Sequence, residues 1–155
     1  MASTAAGEAV AAFTLDPAKD DASRRLIARM VQVMYPHAQF GDEPYLRTAD
    51  AIFAAAAATP AQKVSFVAAL HDLAQAGFAD LDDAAALGHL RSIEDTPFFG
   101  LVRSTTVVTL YDDPDVWAIL GYEGPSFDKG GYVNRGFNDL DWLPEPRIEE
   151  YEAGR

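Results

Sequence analysis

Apolar side chains recur every three or four residues through the first two thirds of the chain, which is the spacing of one face of an α-helix. Four segments carry such a stripe, and each is long enough for a helix of several turns. The pattern therefore predicts a bundle of helices. The stripes are Leu26, Ile27, Met30, Val31 and Met34; Tyr45, Ala49, Ile52, Phe53 and Ala56; Val64, Val67, Leu70 and Leu73; and Leu87 with Leu90 in a helix from about 82 to 93.

Helix starts are marked by an acidic residue or a threonine directly before a proline. Proline suits the first helical position, where its missing N–H removes no hydrogen bond, and the preceding side chain can cap free amides. Gly77 and Gly121 are placed to end helices. Five such starts occur: Asp16-Pro17, Glu43-Pro44, Thr59-Pro60, Thr96-Pro97 and Asp113-Pro114.

The segment from Phe98 to Leu110 is apolar nearly all round, which predicts a central, buried helix. Its threonines would also suit a strand, but its length and the Thr96-Pro97 start favour a helix. A final short helix is expected from 114 to 120.

From 121 to 146 the helical period stops. This stretch contains five glycines and three prolines, and an aromatic residue stands at every fifth position. So many aromatic side chains predict an ordered, irregular arm that packs on the bundle or on a partner. We therefore expect a single all-α domain of five to six helices, with a flexible N-terminus at 1–15, the bundle at 16–120 and the arm and tail at 121–155. The aromatic positions are Tyr122, Phe127, Tyr132, Phe137 and Trp142.

Composition removes several classes of function. The 155 residues carry a formal charge of −12, which disfavours nucleic acid, and no apolar run is long enough to insert in a membrane. The absence of cysteine excludes thiolate metal sites and cysteine nucleophiles. Residues 1–15 lack the basic and apolar segments of a signal peptide. Arg24 and Arg25 have a twin-arginine look, but they open a helical stripe, so we expect them on a solvated helix face.

Candidate chemistry is sparse. The histidines His37, His71 and His89 are too widely spaced for a local metal motif. His37 follows a predicted helix end, where it can act on a substrate or only satisfy helix carbonyls. Asp139 and Asp141 flank one residue and would point the same way in an extended segment, either as an acid–base pair or as a solvated patch. These three residues are the low-priority catalytic candidates.

Other acidic residues and the glycines give weaker signals. The acidic group at 112–115 lacks the spacing of a calcium loop, and its Asp113 is the expected cap of the last helix. The glycines do not form a phosphate-binding loop, and neither a dinucleotide-binding unit nor a haem-attachment motif is present. We therefore expect no metal and no cofactor in this chain.

Several longer strings carry a family resemblance. The chain resembles the gluconate 2-dehydrogenase subunit 3 family, the small subunits of bacterial FAD-dependent sugar and alcohol dehydrogenase complexes. The resemblance covers roughly residues 24–146. The strings are MYPH at 34–37, EDTPFF at 94–99, YDDPDVW at 111–117, LGYEGPS at 120–126, GGY at 130–132 and GFNDLDWLP at 136–144.

The resemblance implies a non-catalytic accessory subunit that supports assembly, stability or export. Its partner would be a large subunit that holds FAD and oxidises the substrate, and in some complexes a haem subunit accepts the electrons. The family also implies the periplasmic side, yet its common twin-arginine leader is not seen here, and a cytoplasmic location stays open. The predicted partner-binding residues are Tyr122, Tyr132, Arg135, Phe137 and Trp142.

A second interpretation is a stand-alone small enzyme or carbohydrate-binding protein. Its pocket would lie between the arm and the bundle, lined by Tyr35, His37, Tyr122 and Tyr132, with Asp139 or Asp141 as polar groups. Aromatic faces and carboxylates suit a sugar as well as an interface, so the residue types do not separate the two interpretations.

Overall fold

The structure, a computed structural model, describes residues 20–130. These residues form six α-helices and contain no β-strand, which confirms the all-α prediction. One-turn 3-10 helices lie at Phe78–Asp80 and Phe127–Lys129. The chain divides after Tyr122 into two compact units, and all six α-helices belong to the first. The helices are α1 (Asp21–Met34), α2 (Asp42–Ala56), α3 (Pro60–Gln75), α4 (Asp83–Ser92), α5 (Pro97–Tyr111) and α6 (Pro114–Leu120).

Three of the proline-marked helix starts are confirmed. The side chains of Thr59, Thr96 and Asp113 each cap a helix by accepting a hydrogen bond from a backbone amide in its first turn. At the other ends, Gly77 and Gly121 adopt left-handed backbone with φ of 66° and 73°, a conformation that glycine adopts at little cost. Helix boundaries are therefore set largely by local chemistry.

One predicted start is wrong. Helix α2 begins at Asp42 rather than at Pro44, and its N-cap is Gly41, which makes no side-chain capping bond. Pro44 is tolerated there because the amides of the whole first turn lack a helical acceptor, so a missing N–H at the third position costs little. The predicted start at Asp16-Pro17 lies outside the described residues.

Helix α2 is the central element of the fold. It packs chiefly against α1 and α5 and also contacts α3. The predicted stripe of α2, from Tyr45 to Ala56, is fully buried. Two alanines in this stripe, Ala49 and Ala56, have no exposed surface, which allows neighbouring helices to approach closely.

The prediction that α5 is the central buried helix is wrong. Its buried side chains form one narrow stripe, whereas Val107 is 49% exposed and Val108 is 68% exposed. Apolar side chains occur on more than one side of α5, so periodicity cannot choose its inward side, and α5 packs chiefly on α2. The helical assignment itself is confirmed. The buried stripe is Phe98, Val102, Thr106 and Leu110.

Helix α3 is rotated relative to its predicted stripe. Val64 is 71% exposed, and the buried positions are Phe66, Leu70 and Leu73. The ring of Phe66 lies 5.7 Å from that of Phe53 and 5.1 Å from that of Phe98. These aromatic contacts fix the orientation of α3, because they bury a larger side chain than the valines would.

The second residue of the predicted α4 stripe is buried, but the first is not. Leu90 lies in the core together with Ala86, whereas Leu87 is 40% exposed. Position 86 is four residues before 90 and so faces the same neighbours, which leaves Leu87 at the edge of the stripe.

Arginine–carboxylate pairs tie α1 to its surroundings. Arg24 makes two hydrogen bonds to Asp50 of α2, at 2.7 and 2.9 Å, and Arg29 contacts Asp83 of α4 at 2.7 Å. Arg25 pairs with Asp21 on the exposed side of α1 itself. The two adjacent arginines of the sequence thus serve as helix-surface ion pairs in the folded chain.

The corrected orientation of α3 predicts opposite outcomes for two truncations in that helix. Leu70→Ala should lower the free energy of unfolding by about 2–5 kcal/mol, because it leaves a cavity in the core. Val64→Ala should change it by less than about 0.5 kcal/mol, because that side chain is exposed. Urea unfolding followed by circular dichroism measures both, and a large loss in Val64→Ala would contradict the packing.

Candidate functional site

The strongest group of interacting polar and aromatic side chains lies where the turn after α1, the start of α2 and the end of α5 meet. Pro36 disfavours helical backbone at Tyr35, and α1 ends there, with the Tyr35 amide bonded to the Val31 carbonyl at 2.9 Å. The turn then places His37 and Phe40 beside the first turn of α2. We call the side chains Tyr35, His37, Phe40, Tyr45 and Tyr111 the aromatic cluster.

Tyr45 anchors the turn to α2. Its hydroxyl donates to the carbonyl of Tyr35 at 3.0 Å and accepts from the backbone N–H of His37 at 3.2 Å. Burial raises the pKa of Tyr45, so the phenol keeps the proton that it donates. One buried side chain therefore holds the backbone on both sides of Pro36, directly before His37.

His37 joins the turn to the end of α5. Its Nε2 atom lies 2.7 Å from the hydroxyl of Tyr111, and the two rings meet edge to face at 90°. Phe40 lies on the same imidazole, with ring centroids 4.3 Å apart. Burial also raises the pKa of Tyr111, which favours its neutral phenol. His37 is thus held by a phenol and aromatic rings, and in residues 20–130 no carboxylate is hydrogen-bonded to it.

A second group, the Arg47 clasp, joins α2 to the start of α6. Arg47 binds both carboxylate oxygens of Asp113, at 2.7 and 2.9 Å, and also contacts Asp115 at 2.6 Å. Hydrogen bonding to Arg47 lowers the pKa of Asp113 and outweighs burial, which acts in the opposite direction. The same pairing raises the pKa of Arg47.

Asp113 has two structural duties in this clasp. It is only 8% exposed, and it caps α6 by accepting from the amide of Asp115 at 2.9 Å. The expected capping role is therefore confirmed. Its arginine partner lies 66 residues earlier in the chain, and no local pattern could have identified it. A surface cleft of about 510 Å³ borders the clasp, with Val108 of α5 on its wall.

Helix α6 continues the contacts toward Tyr122. The indole N–H of Trp117 donates to the carbonyl of Tyr111 at 2.6 Å, and the Tyr122 ring meets the Trp117 ring edge to face at 5.3 Å. The left-handed backbone at Gly121 allows this reversal. A continuous series of contacts therefore runs from His37 through Tyr111 and Trp117 to Tyr122.

This series of contacts brings together three of the strings that carry the family resemblance, although they are far apart in the sequence. His37 belongs to the string at 34–37, Tyr111 and Trp117 to that at 111–117, and Tyr122 to that at 120–126. Of the predicted partner-binding residues, Tyr122 is described and exposed. Tyr35 and His37 are also described, as members of the aromatic cluster. Six further predicted site residues lie outside the described part of the chain: Tyr132, Arg135, Phe137, Trp142, Asp139 and Asp141.

His71 and His89 are half-buried on α3 and α4, and no group of three or more His, Asp or Glu side chains among residues 20–130 is arranged to hold a metal ion. No helix in the same range combines the length and apolar character that a membrane crossing needs.

Comparison with known proteins gives no relative. No family model matches the chain, and no curated protein or solved structure is significantly similar to it. The resemblance to the gluconate 2-dehydrogenase subunit 3 family therefore stays a prediction from the quoted residues.

The Arg47 clasp predicts a pH-dependent contribution to stability. Asp113→Asn keeps an oxygen that can cap α6 but loses the ion pair, so it should lower the free energy of unfolding at neutral pH by about 1–2 kcal/mol. The pKa of Asp113 is lower in the folded protein than in the unfolded chain, so stability from this group rises with pH. The difference from wild type should be complete above about pH 4 and vanish as the pH falls further.

Asp115→Asn is the matched control for this prediction. Asp115 contacts the same guanidinium but is largely exposed, so its loss should cost less than about 0.5 kcal/mol. Urea unfolding of both variants between pH 3 and pH 7 tests the assignment. A pH-independent difference for Asp113→Asn would assign its stabilising effect to capping rather than to the ion pair.

Proposed function

We propose that the protein is a non-catalytic accessory subunit that docks on a larger, FAD-dependent sugar or alcohol dehydrogenase. The observation that carries the proposal is the outer face of α5. Neighbouring exposed apolar side chains are typical of a contact surface, and the adjacent Val107 and Val108 are 49% and 68% exposed. A partner surface would cover them.

The next helix extends the same character. Ile119 and Leu120 are exposed at the end of α6, and Tyr122 follows them. The buried centres of interfaces are apolar and are enriched in aromatic residues such as tyrosine, whereas acidic residues are depleted there. The formal charge of −12 favours a partner that surrounds its contact area with basic side chains.

The strings that carry the family resemblance also support the proposal, because three of them meet in the folded chain. The aromatic cluster and the Arg47 clasp hold the end of α5 and the start of α6 against α2. They therefore fix the positions from which Val107, Val108, Ile119 and Leu120 project. By the family resemblance, FAD belongs to the partner, a haem subunit is a further partner, and the assembly lies on the periplasmic side.

We call the side chains Val107, Val108, Ile119 and Leu120 the docking face. Its role can be tested by charge substitution. In the native host, the tagged protein should co-purify with a large flavoprotein that shows flavin absorbance and oxidises a sugar or alcohol. The double variant Val108→Asp with Ile119→Asp should reduce the yield of that flavoprotein at least tenfold, because each new carboxylate would be buried without a partner. Circular dichroism should show unchanged helix content.

Val64→Asp is the matched control, since Val64 is an equally exposed valine on a different helix. It should leave the flavoprotein yield unchanged. Recovery of the tagged chain alone, without a flavoprotein, would contradict the proposal and favour the stand-alone enzyme or carbohydrate-binding interpretation.

The arm supplies a separate prediction. Trp142→Ala should abolish co-purification of the flavoprotein and leave the helix content intact, because tryptophan is among the most costly interface side chains to remove. Comparison of the eluates by mass spectrometry and circular dichroism checks this expectation. An unchanged yield of the complex would remove Trp142 from the docking residues.

A further inference from the structure

A second surface cleft lies away from the Arg47 clasp, where the end of α1 meets α4 and α5. Its volume is about 340 Å³, which is within the range of small-molecule sites. The apolar part of the lining is Met34, Tyr35, Leu87, Leu90 and Phe99. The other four apolar side chains lie in the core or pack against it, whereas Leu87 is 40% exposed. Together they form an apolar floor on which a ligand could lie.

The polar part of the lining is unusual within this chain. Six arginines lie among residues 20–130, and four of them, Arg24, Arg25, Arg29 and Arg47, pair with a carboxylate. The other two, Arg91 and Arg103, make no ion pair in this range, and both line this cleft.

A shortage of carboxylates cannot explain these free guanidinium groups. The chain has 24 acidic residues against 12 basic ones, so carboxylates are in excess. Arg91 lies in the last turn of α4, where a cation is favoured by the helix dipole. Arg103 lies inside α5, far from either helix end, and that explanation does not apply to it.

The charges of the lining select the ligand class. Arg91 and Arg103 contribute two positive charges and Glu94 one negative charge, which gives a formal balance of +1. A single carboxylate completes that balance, and the planar guanidinium group binds a carboxylate through two parallel hydrogen bonds. The apolar floor then suits a hydrocarbon chain or ring attached to the carboxylate.

We propose that this cleft binds a small organic monocarboxylate with an apolar body. The carboxylate contacts Arg91 and Arg103, and the body lies on Leu87, Phe99 and Tyr35. The proposal is independent of the accessory role, because it concerns binding alone and because Val107, Val108, Ile119 and Leu120 do not line this cleft.

The test uses octanoate as the probe and 1-octanol as its neutral analogue. Amide chemical shifts of the full-length, isotope-labelled protein are followed during titration with each compound. Octanoate should shift amides of residues 87–94 and 99–103 in a saturable manner. Octanol should bind at least about tenfold more weakly, because it cannot form the charge-assisted hydrogen bonds. Equal binding of the two compounds, or no saturable shifts with octanoate, would overturn the proposal.

Charge-removing variants locate the site. Arg91→Gln and Arg103→Gln should each weaken octanoate binding at least about tenfold. Arg25→Gln removes the same charge from an exposed pair elsewhere, so it should leave the affinity within twofold. An equal loss in all three variants would show attraction by overall charge rather than a site. Urea unfolding of each variant confirms that the fold is retained.

Octyl phosphate distinguishes a monoanion site from a general anion site. Its second negative charge opposes Glu94, so it should bind more weakly than octanoate at pH 8. Glu94→Gln should reverse that order by removing the opposing charge. Tighter binding of octyl phosphate to the unmodified protein would contradict the assignment to monocarboxylates.

Discussion

Burial of α2 between α1 and α5 is the constraint on which the rest of the structure depends. Its stripe from Tyr45 to Ala56 supplies the centre of the core, and its polar side chains reach outward from the same helix. Tyr45 fixes the turn that carries His37, Arg47 holds Asp113, and Asp50 holds Arg24. Each of these contacts has its geometry because α2 cannot rotate without exposing Phe53 and Ile52.

Local chemistry accounts for most of what could be predicted from sequence. A threonine or aspartate before proline caps a helix by accepting from an amide two or three residues away. The helix starts at Thr59, Thr96 and Asp113 could therefore be predicted from the local sequence alone. The α2 stripe was readable because its buried side is much more apolar than the rest of the helix. The end of α6 was readable because Gly121 permits the left-handed backbone.

The buried side of a helix and the partners of distant residues could not be predicted in the same way. The inward side of α3 depends on the contacts of Phe66 with Phe53 and Phe98, which lie on other helices. The side that α5 buries depends on where α2 lies, since apolar side chains occur on more than one side of α5. The partner of Asp113 and the joint position of Arg91 and Arg103 likewise need the tertiary fold. Sequence spacing predicted elements, whereas their orientation came from packing.

The two proposed surfaces meet on α5. Phe99, Arg103 and Val107 are spaced four residues apart, so they follow one another along one side of the helix. Phe99 and Arg103 line the carboxylate cleft, and Val107 belongs to the docking face. A carboxylate at Arg103 would therefore lie about one helical turn from a docked partner. Any change that it causes in docking affinity must be matched by an equal change in its own affinity when the partner is bound, because linkage between two binding events is reciprocal.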